Sequence, residues 1–311
     1  MHKKESYIYG PVPSRRLGSS LGVDLIPRKT CDYDCIYCQF GRITLKTTRR
    51  DAYIPAGVIL DQLEQRLEEA PELDYITISG SGEPTLNSEL GEIVTGIKSM
   101  SELPLAVITN GSLLGDEDVA EACAKADLVM PSLDAADEKT FRKINRPCRE
   151  LNLDSVVDGI AAFREIYQGI IWLEVFIVEG VNSNEEQVKK LGALIDRIGP
   201  DKVQLNTATR PPAEAYVHPV EKSRLEQMAS LLGMDSEAIE SLRLERISAS
   251  SDASADTILQ LLKRRPCTID DVSRALSINY IEASKALAHM EQDGLLSSKS
   301  QGGIIYYYAR L

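Results

Sequence analysis

Six short apolar runs, each followed by an amphipathic stretch of helical spacing, dominate the first 232 residues of this 311-residue chain. The predicted strands occupy residues 21–27, 75–80, 105–111, 128–134, 170–180 and 202–208. Strands that alternate with helices are parallel, because parallel neighbours need crossover connections. The pattern therefore predicts an α/β domain and leaves an open sheet and a barrel as alternatives. In either case, functional groups are expected at the carboxyl ends of the strands.

The alternation breaks after residue 233. Residues 234–254 end in a Ser/Ala/Asp-rich stretch, which we interpret as a linker. Residues 255–311 contain three short helical patterns and two strand-like runs separated by Gln-Gly-Gly, an order that resembles a winged helix-turn-helix. Thr268 is the expected N-cap of the second helix, and Gly294 is expected to end the third. The sequence predicts an α/β domain at 1–233 and a small domain at 255–311.

The charge balance argues against a broad surface for nucleic acid or anionic membranes. Lys and Arg number 35 against 47 Asp and Glu, which gives a net charge of −12. No apolar run is long enough to cross a bilayer, and the start MHKKESYIYG lacks the apolar core of a signal peptide. These features predict a cytoplasmic protein without a membrane partner, in which thiols stay reduced.

Three of the six cysteines lie within eight positions, in the segment CDYDCIYCQFG at residues 31–41. A disulfide framework is disfavoured where thiols stay reduced. Structural zinc takes four ligands, and none of the three histidines lies at a ligand spacing from this segment. An iron–sulfur cube normally takes four thiolates, so three would leave one iron open to a substrate or cofactor. The other cysteines are scattered singly and are interpreted as buried apolar residues.

The Cys-x3-Cys-x2-Cys spacing, directly after the first strand of a six-fold β/α pattern, resembles the signature of the radical S-adenosylmethionine (radical SAM) superfamily. The resemblance spans about residues 8–233 and implies a partial (β/α)6 barrel. It also implies that Cys31, Cys35 and Cys38 ligate one 4Fe–4S cluster, whose open iron is chelated by the amino and carboxylate groups of SAM. An electron from the cluster then cleaves SAM, and the 5′-deoxyadenosyl radical takes a hydrogen atom from the substrate.

The same resemblance assigns eight further residues to SAM binding. Tyr37 occupies the family's aromatic position near the adenine, and SGSGEPTL resembles its Gly-Gly-Glu segment, with Ser81 at the middle glycine. The others follow the third and fourth strands or lie in the fifth. The full set is Tyr37, Gly80, Gly82, Glu83, Asn110, Ser132, Asp134 and Glu174. Structural alternatives remain open: a strand-to-helix turn for the glycine segment, a helix cap for Asp134 and a salt bridge for Glu174.

Four residues are candidates for contacts with a substrate. Asn206 shares one face of the sixth predicted strand with Gln204, and in a barrel that face is the inside. Three arginines beside Gly- or Pro-rich segments are candidate anion clamps, with solvated surface arginines as the alternative. The candidates are Arg15, Arg16, Asn206 and Arg210.

Within the superfamily, residues 9–41 are most similar to the branch related to wybutosine-synthesis enzymes, which build a tricyclic base on tRNA. Two features depart from that branch: no cysteine precedes Cys31, and the chain is acidic although tRNA binding rests on phosphate neutralisation. The first hypothesis is therefore a radical SAM enzyme with an unidentified substrate. Its partners would be a one-electron donor such as flavodoxin or ferredoxin and a peptide or RNA held through the winged helix.

The second hypothesis is an iron–sulfur regulator that senses redox state or SAM and binds DNA through the winged helix. The third predicted helix of residues 255–311, which would enter a major groove, carries few cations: Lys285 and His289 are its basic residues. This composition disfavours the regulator and favours a module that docks protein or peptide.

Overall fold

The computed structural model of the chain describes residues 6–14, 16–69, 73–232, 236–238, 255–276 and 278–310. The strands are β1 (Ile8–Ser14), β2 (Gly18–Val23), β3 (Thr30–Cys31), β4 (Leu45–Lys46), β5 (Tyr75–Ile78), β6 (Leu105–Thr109), β7 (Leu128–Pro131), β8 (Ile170–Ile177), β9 (Lys202–Thr207), β10 (Ser236–Ala238), β11 (Leu296–Gln301) and β12 (Ile304–Ala309). Among them, eight form one sheet in the order β1-β2-β5-β6-β7-β8-β9-β10.

Seven helices pack on the outside of the sheet: α1 (Ala56–Glu69), α2 (Leu90–Met100), α3 (Glu117–Cys123), α4 (Glu138–Ile144), α5 (Leu153–Ile166), α6 (Glu185–Ile198) and α7 (Lys222–Leu232). Three more described helices follow, namely α8 (Ala255–Arg264), α9 (Ile269–Ala275) and α10 (Tyr280–Gln292). In α6, for example, the Asn184 side chain accepts a hydrogen bond from the Gln187 N–H at the start, and Gly199 ends the helix at a φ of 64°. Its apolar face is buried, so the helix packs on the sheet through one stripe.

The parallel sheet predicted from the sequence is confirmed, and its edges are corrected. The six strands from β2 to β9 in the sheet pair in parallel, as the alternation predicts. An additional strand, β1, pairs antiparallel with β2, with a register shift between Tyr9 and Val12. The sequence analysis missed β1 because its IYGPVPS segment contains a glycine and two prolines, which strands tolerate mainly at an edge or a bulge.

The predicted linker is also corrected in part. Residues 236–238 form β10, which extends the sheet by pairing in parallel with β9. Three residues are too few to produce a strand pattern in the sequence, and the pairing is supplied by the edge of β9. Residues 234–235 and 239–254 lie outside the described residues.

The sheet curves around an internal cavity. Side chains or backbone from one face of β2, β5, β6, β8 and β9 line the same cavity, together with the segment that follows β7. A flat sheet cannot direct residues from its two ends into one enclosed space, so the sheet is a partial barrel. Its apolar core lies between the outer face of the sheet and the helices.

Residues 255–276 and 278–310, here called the C-terminal segment, form α8, α9, α10 and the antiparallel pair β11–β12. Thr268 accepts a hydrogen bond from the Asp271 N–H at the start of α9, and Gly294 has a φ of 73° just after α10. The segment has its own apolar cluster, against which Val12 of β1 packs. Among the residues described, none of the helices has the length and apolar character needed to traverse a bilayer.

Candidate active site

The three motif cysteines lie on one loop after β2. Cys31 ends β3, and two tight turns follow, in which the Cys38 N–H donates to Cys35 O and the Gly41 N–H donates to Cys38 O, each at 3.1 Å. Gly41 has a φ of 78°, a left-handed conformation that glycine adopts without strain. The short spacing and these turns place the three thiols on a compact loop.

All three cysteines line a cavity of about 930 Å³, which is near the upper end of the range for small-molecule sites. Many of the predicted site residues line it as well: Arg16, Tyr37, Gly80, Gly82, Ser132, Glu174, Asn206 and Arg210. Glu83, Asn110 and Asp134 lie outside the lining, and each contacts or adjoins a residue that belongs to it. Arg15 lies outside the described residues.

The donors around the thiols bear on what the loop can hold. Two N–H groups, from the Tyr33 backbone and the Asn110 side chain, are directed at the Cys31 sulfur at 3.4 and 3.9 Å. The Asn145 side chain is directed at the Cys35 sulfur at 3.6 Å. Burial is the main cause that raises the pKa of Cys31 and Cys35, so their thiolates need compensating positive charge.

In the described part of the chain, no group of three His, Cys, Asp or Glu side chains is close enough to hold a metal ion. In an iron–sulfur cluster, each cysteine thiolate binds a different iron, so the thiolates need not converge on one metal ion. The three thiols, the N–H groups directed at two of them and the space beside them fit such a cluster with a small-molecule cofactor next to it.

The glycine segment after β5 approaches the cysteine loop at the backbone. A Cβ atom on Gly82 would lie 1.8 Å from Thr30 O, and the Glu83 N–H donates to the same oxygen at 3.1 Å. A Cβ on Gly80 would lie 2.1 Å from the Asp24 carboxylate. Because any side chain would force these segments apart, the two glycines keep the segment against the loop.

Ser81, which stands where the family signature has glycine, bonds a buried carboxylate. Its hydroxyl donates to Asp24 Oδ2 at 2.5 Å, and its N–H donates to the same oxygen at 3.2 Å. Asp24 also forms an ion pair with Arg264 of the C-terminal segment. The sequence analysis missed this arrangement, because the three residues are far apart in the chain.

Glu83 ties together the ends of two neighbouring strands. It is 2% exposed, and its carboxylate accepts bonds from the Thr85 N–H at 3.1 Å, the Thr109 hydroxyl at 2.6 Å and the Asn110 N–H at 2.7 Å. Burial and the nearby Asp32 raise the pKa of Glu83 to about 7. In this arrangement Glu83 positions Asn110, and direct contact of either residue with SAM stays a prediction.

Asp134 likewise positions a residue that lines the cavity. It accepts bonds from the Tyr37 hydroxyl at 2.5 Å, the Asn145 side chain at 2.6 Å and the Phe176 N–H at 2.9 Å. The Tyr37 ring stacks on Phe176, with ring centroids 3.9 Å apart. The alternative of a helix cap belongs to Asp137 instead, which accepts from the Thr140 N–H at the start of α4. The sequence analysis missed Phe176, which is apolar in an apolar strand.

The Asp134 carboxyl predicts a pH-dependent stability. Burial raises its pKa from 3.8 to about 6, so the native state binds the proton more tightly than the unfolded chain. This contribution to stability is present at low pH and is lost as the pH rises through 6. Between pH 4 and 6.5, urea unfolding should show the native protein losing about 2 kcal/mol relative to Asp134→Asn, which cannot titrate. Parallel pH profiles for the two proteins would contradict this prediction.

Glu174 lies on β8 and faces the cavity, where it forms an ion pair with Arg16. The Asn206 side chain donates to the same carboxylate at 3.4 Å. The salt-bridge alternative for Glu174 is therefore observed, and its carboxylate still lines the space that a cofactor or substrate would enter. Gln204 shares the inner face of β9 with Asn206, as predicted, and donates to Glu237 of β10 at 2.8 Å.

Comparisons with known proteins identify the family. The Radical SAM superfamily model matches residues 25–192, more than half of the chain, including the cysteine loop and strands β5 to β8 of the sheet. A protein named UPF0026 protein MJ1312, from Methanocaldococcus jannaschii, is 39% identical over 233 residues, which cover 74% of this chain and 71% of that protein.

A second relative is longer than this chain. A protein named GTPase Obg, from Brachyspira hyodysenteriae, is 34% identical over 98% of this chain, and the chain spans 45% of its length. The present sequence contains no Gly-Lys dipeptide and so no Gly-x4-Gly-Lys-Ser/Thr phosphate-binding loop. The activity in that name remains a statement about the longer protein.

A solved structure supports the fold. The crystal structure of Streptococcus suis SuiB bound to precursor peptide SuiA superposes with a TM-score of 0.56 at 15% identity, covering 74% of this chain and 51% of that chain. At this identity the likeness concerns the fold alone. With the family match, the relatives and the site geometry, the chain belongs to the radical SAM superfamily and is an enzyme of the radical SAM type.

Proposed function

We propose that this enzyme cleaves SAM reductively at a 4Fe–4S cluster ligated by Cys31, Cys35 and Cys38, and that the product radical abstracts hydrogen from a separate substrate. The single observation that carries the proposal is that these three thiols, and none of the other three cysteines, line the cavity inside the barrel. Three thiolates leave one iron for SAM. When bound, the cluster supplies the electron that cleaves the carbon–sulfur bond of SAM.

The protein's own residues bind and orient SAM beside the cluster. The Gly80–Gly82 backbone offers polar groups at close range, because neither residue has a side chain. Tyr37, held by Asp134 and stacked on Phe176, presents a fixed aromatic surface for the adenine. Glu83 and Asn110 act on SAM through the strand ends that they hold in place.

The remaining polar lining residues bind SAM hydroxyl or carboxylate groups and the substrate. We assign Ser132 and Glu174 to SAM binding, and we assign Arg16, Asn206 and Arg210 to substrate binding. Glu174 is shared, because its carboxylate bonds both Arg16 and Asn206. If a ribose hydroxyl of SAM replaced Arg16 as the partner of Glu174, the Arg16 guanidinium would become available to bind a group of the substrate.

We propose that the first domain extends to residue 238, because β10 pairs with the edge of the sheet, and that a second domain of winged helix-turn-helix type begins at residue 255. We place the enzyme in the branch related to wybutosine-synthesis enzymes, with a peptide or RNA as substrate and flavodoxin or ferredoxin as electron donor. The hypothesis of a DNA-binding regulator receives no support from the comparisons.

The experiment that tests the proposal is SAM cleavage in vitro. The full chain is purified anaerobically, reconstituted with iron and sulfide, reduced with dithionite and incubated with SAM. We expect 5′-deoxyadenosine and methionine in equal amounts, measured by liquid chromatography with mass detection, and neither product when dithionite is omitted. Iron-loaded protein that binds SAM and forms no 5′-deoxyadenosine would contradict the proposal.

A further inference from the structure

The C-terminal segment forms one wall of the active-site cavity. Its helices contribute lining residues that face the barrel interior: Asp256, Thr257, Gln260, Leu261, Arg264, Arg265, Ala275 and Leu276. The curved sheet is open between its two edge strands, β1 and β10. The segment therefore covers the side of the barrel that the strands leave open, and the cavity is incomplete without it.

The segment is fixed to the barrel by a buried ion pair. Arg264 of α8 pairs with Asp24, whose side chain is 3% exposed, and donates to Ser6 O at 3.3 Å. The same guanidinium lies over the Tyr9 ring, 4.6 Å from its centroid. Because Asp24 also holds Ser81 next to the cysteine loop, the wall and the SAM-binding segment share one carboxylate. The side chains of α8 are thus held at defined positions in the cavity.

The cavity concentrates positive charge in an acidic protein. Among the described residues, five arginines line it against one glutamate and one aspartate, although the whole chain carries a net charge of −12. The arginines come from five places in the sequence: Arg16, Arg66, Arg210, Arg264 and Arg265. An enclosed wall of low dielectric strengthens the field of such a cluster and favours an anion inside it.

Two of these arginines meet at the junction of the barrel and the C-terminal segment. Arg210, after β9, donates to Asp271 of α9 at 3.2 Å, and Arg265 lies close enough to act on the same carboxylate. Two guanidinium groups therefore share one negative charge. Within the residues that the structure describes, the Nε–H groups of Arg210 and Arg265 are buried and have no hydrogen-bond acceptor. A buried donor without an acceptor is costly, and an incoming oxyanion would supply one.

We propose that Arg210 and Arg265 form an oxyanion subsite that binds a carboxylate or phosphate group of the substrate. The inference rests on the proposed function and deepens it, because it names a chemical group that the substrate carries. It also gives the C-terminal segment a direct role: the segment supplies Arg265, directly after α8, and the barrel supplies Arg210, after β9. Planar guanidinium groups suit this task, since they bind oxyanions in a bidentate manner.

Isothermal titration of the reconstituted full chain tests the subsite with two probes, inorganic phosphate and succinate, at constant ionic strength. We expect one saturable site for at least one probe, and the stronger probe identifies the group. Arg265→Gln and Arg210→Gln should each weaken this binding about tenfold or more, and Arg265→Lys should retain part of it. The matched control is Arg197→Gln, on exposed α6 and paired with Asp158, which should bind as the native protein does.

Thermal unfolding of each variant is measured alongside the titrations. If loss of the bond to Asp271 unfolds Arg210→Gln, the test rests on Arg265→Gln. The subsite is overturned if neither probe binds the native chain saturably, or if both glutamine variants bind as well as the control. The same preparations report SAM cleavage. Cleavage with unchanged probe binding in the variants would refute the subsite alone. Weakened probe binding in the variants of a protein that never cleaves SAM would refute the proposed function and leave the subsite standing.

Discussion

Replacing Cys35 with alanine should abolish both the iron–sulfur absorbance and SAM cleavage while the fold persists. The thiol lies in the middle of the three-cysteine loop and lines the cavity, so its loss removes one of three ligands. The loop should survive, because Asn145, which is directed at the Cys35 sulfur, keeps its 2.6 Å bond to Asp134. We expect iron content and the visible spectrum to fall after anaerobic reconstitution, and 5′-deoxyadenosine to fall to the level of samples without dithionite.

The matched control is Cys123→Ala. Cys123 is fully buried in α3, within the apolar core outside the cavity lining. Its substitution should lower stability modestly and leave the cluster spectrum and SAM cleavage intact. The ligand assignment would be wrong if Cys123→Ala lost the cluster, or if Cys35→Ala retained it. Circular dichroism of both variants separates loss of the cluster from loss of the fold.

Gly82→Ala should damage stability and activity together, through one added carbon. The new Cβ would lie 1.8 Å from Thr30 O and 2.9 Å from an Ile26 methyl, so backbone next to the cysteine loop must move. We expect urea unfolding to report a loss of about 3 kcal/mol, typical of severe overpacking. A displacement of about 1 Å at a reacting centre can cost about a hundredfold, so SAM cleavage should fall by that order.

Gly57→Ala provides the control for Gly82→Ala. Gly57 lies in the first turn of α1, and a Cβ there would meet nothing within 4 Å. Alanine favours helix relative to glycine by about 0.5–1 kcal/mol, so this variant should be slightly more stable and fully active. Equal stability and SAM cleavage in the two variants would contradict the close approach of the glycine segment to the cysteine loop.

The sheet illustrates what local sequence can predict. Strands β5, β6 and β7 are short apolar runs separated by helices, and nearly all of their residues are buried, so hydrophobic pattern and pairing agree. The edges lack this agreement. β1 contains two prolines, and β10 has three residues, so both exist because a neighbouring strand offers hydrogen bonds. Pairing partners are a property of the fold, and a single segment does not encode them.

The site divides in the same way. The spacing of Cys31, Cys35 and Cys38, directly after the first predicted strand, indicated an iron–sulfur loop. Tight turns bring the thiols together, and backbone bonds from Asp34 to Asn145 and from Ile36 to Ile144 hold the loop in place. The sequence also identified the glycine segment, where lack of space dictates the residue type. For the carboxylates, sequence named Glu83, Asp134 and Glu174 alike as SAM contacts and carried no signal that would separate them.

Tertiary structure alone decided which of these carboxylates reach the cavity. Glu174 faces the cavity. Glu83 and Asp134 instead accept hydrogen bonds from donors on strands and loops that are far away in the chain. It also placed Arg265 beside Arg210 and turned a separate C-terminal segment into a wall of the site. The reason is physical: motif chemistry depends on neighbours along the chain, while burial, partners and charge depend on packing between elements distant in sequence.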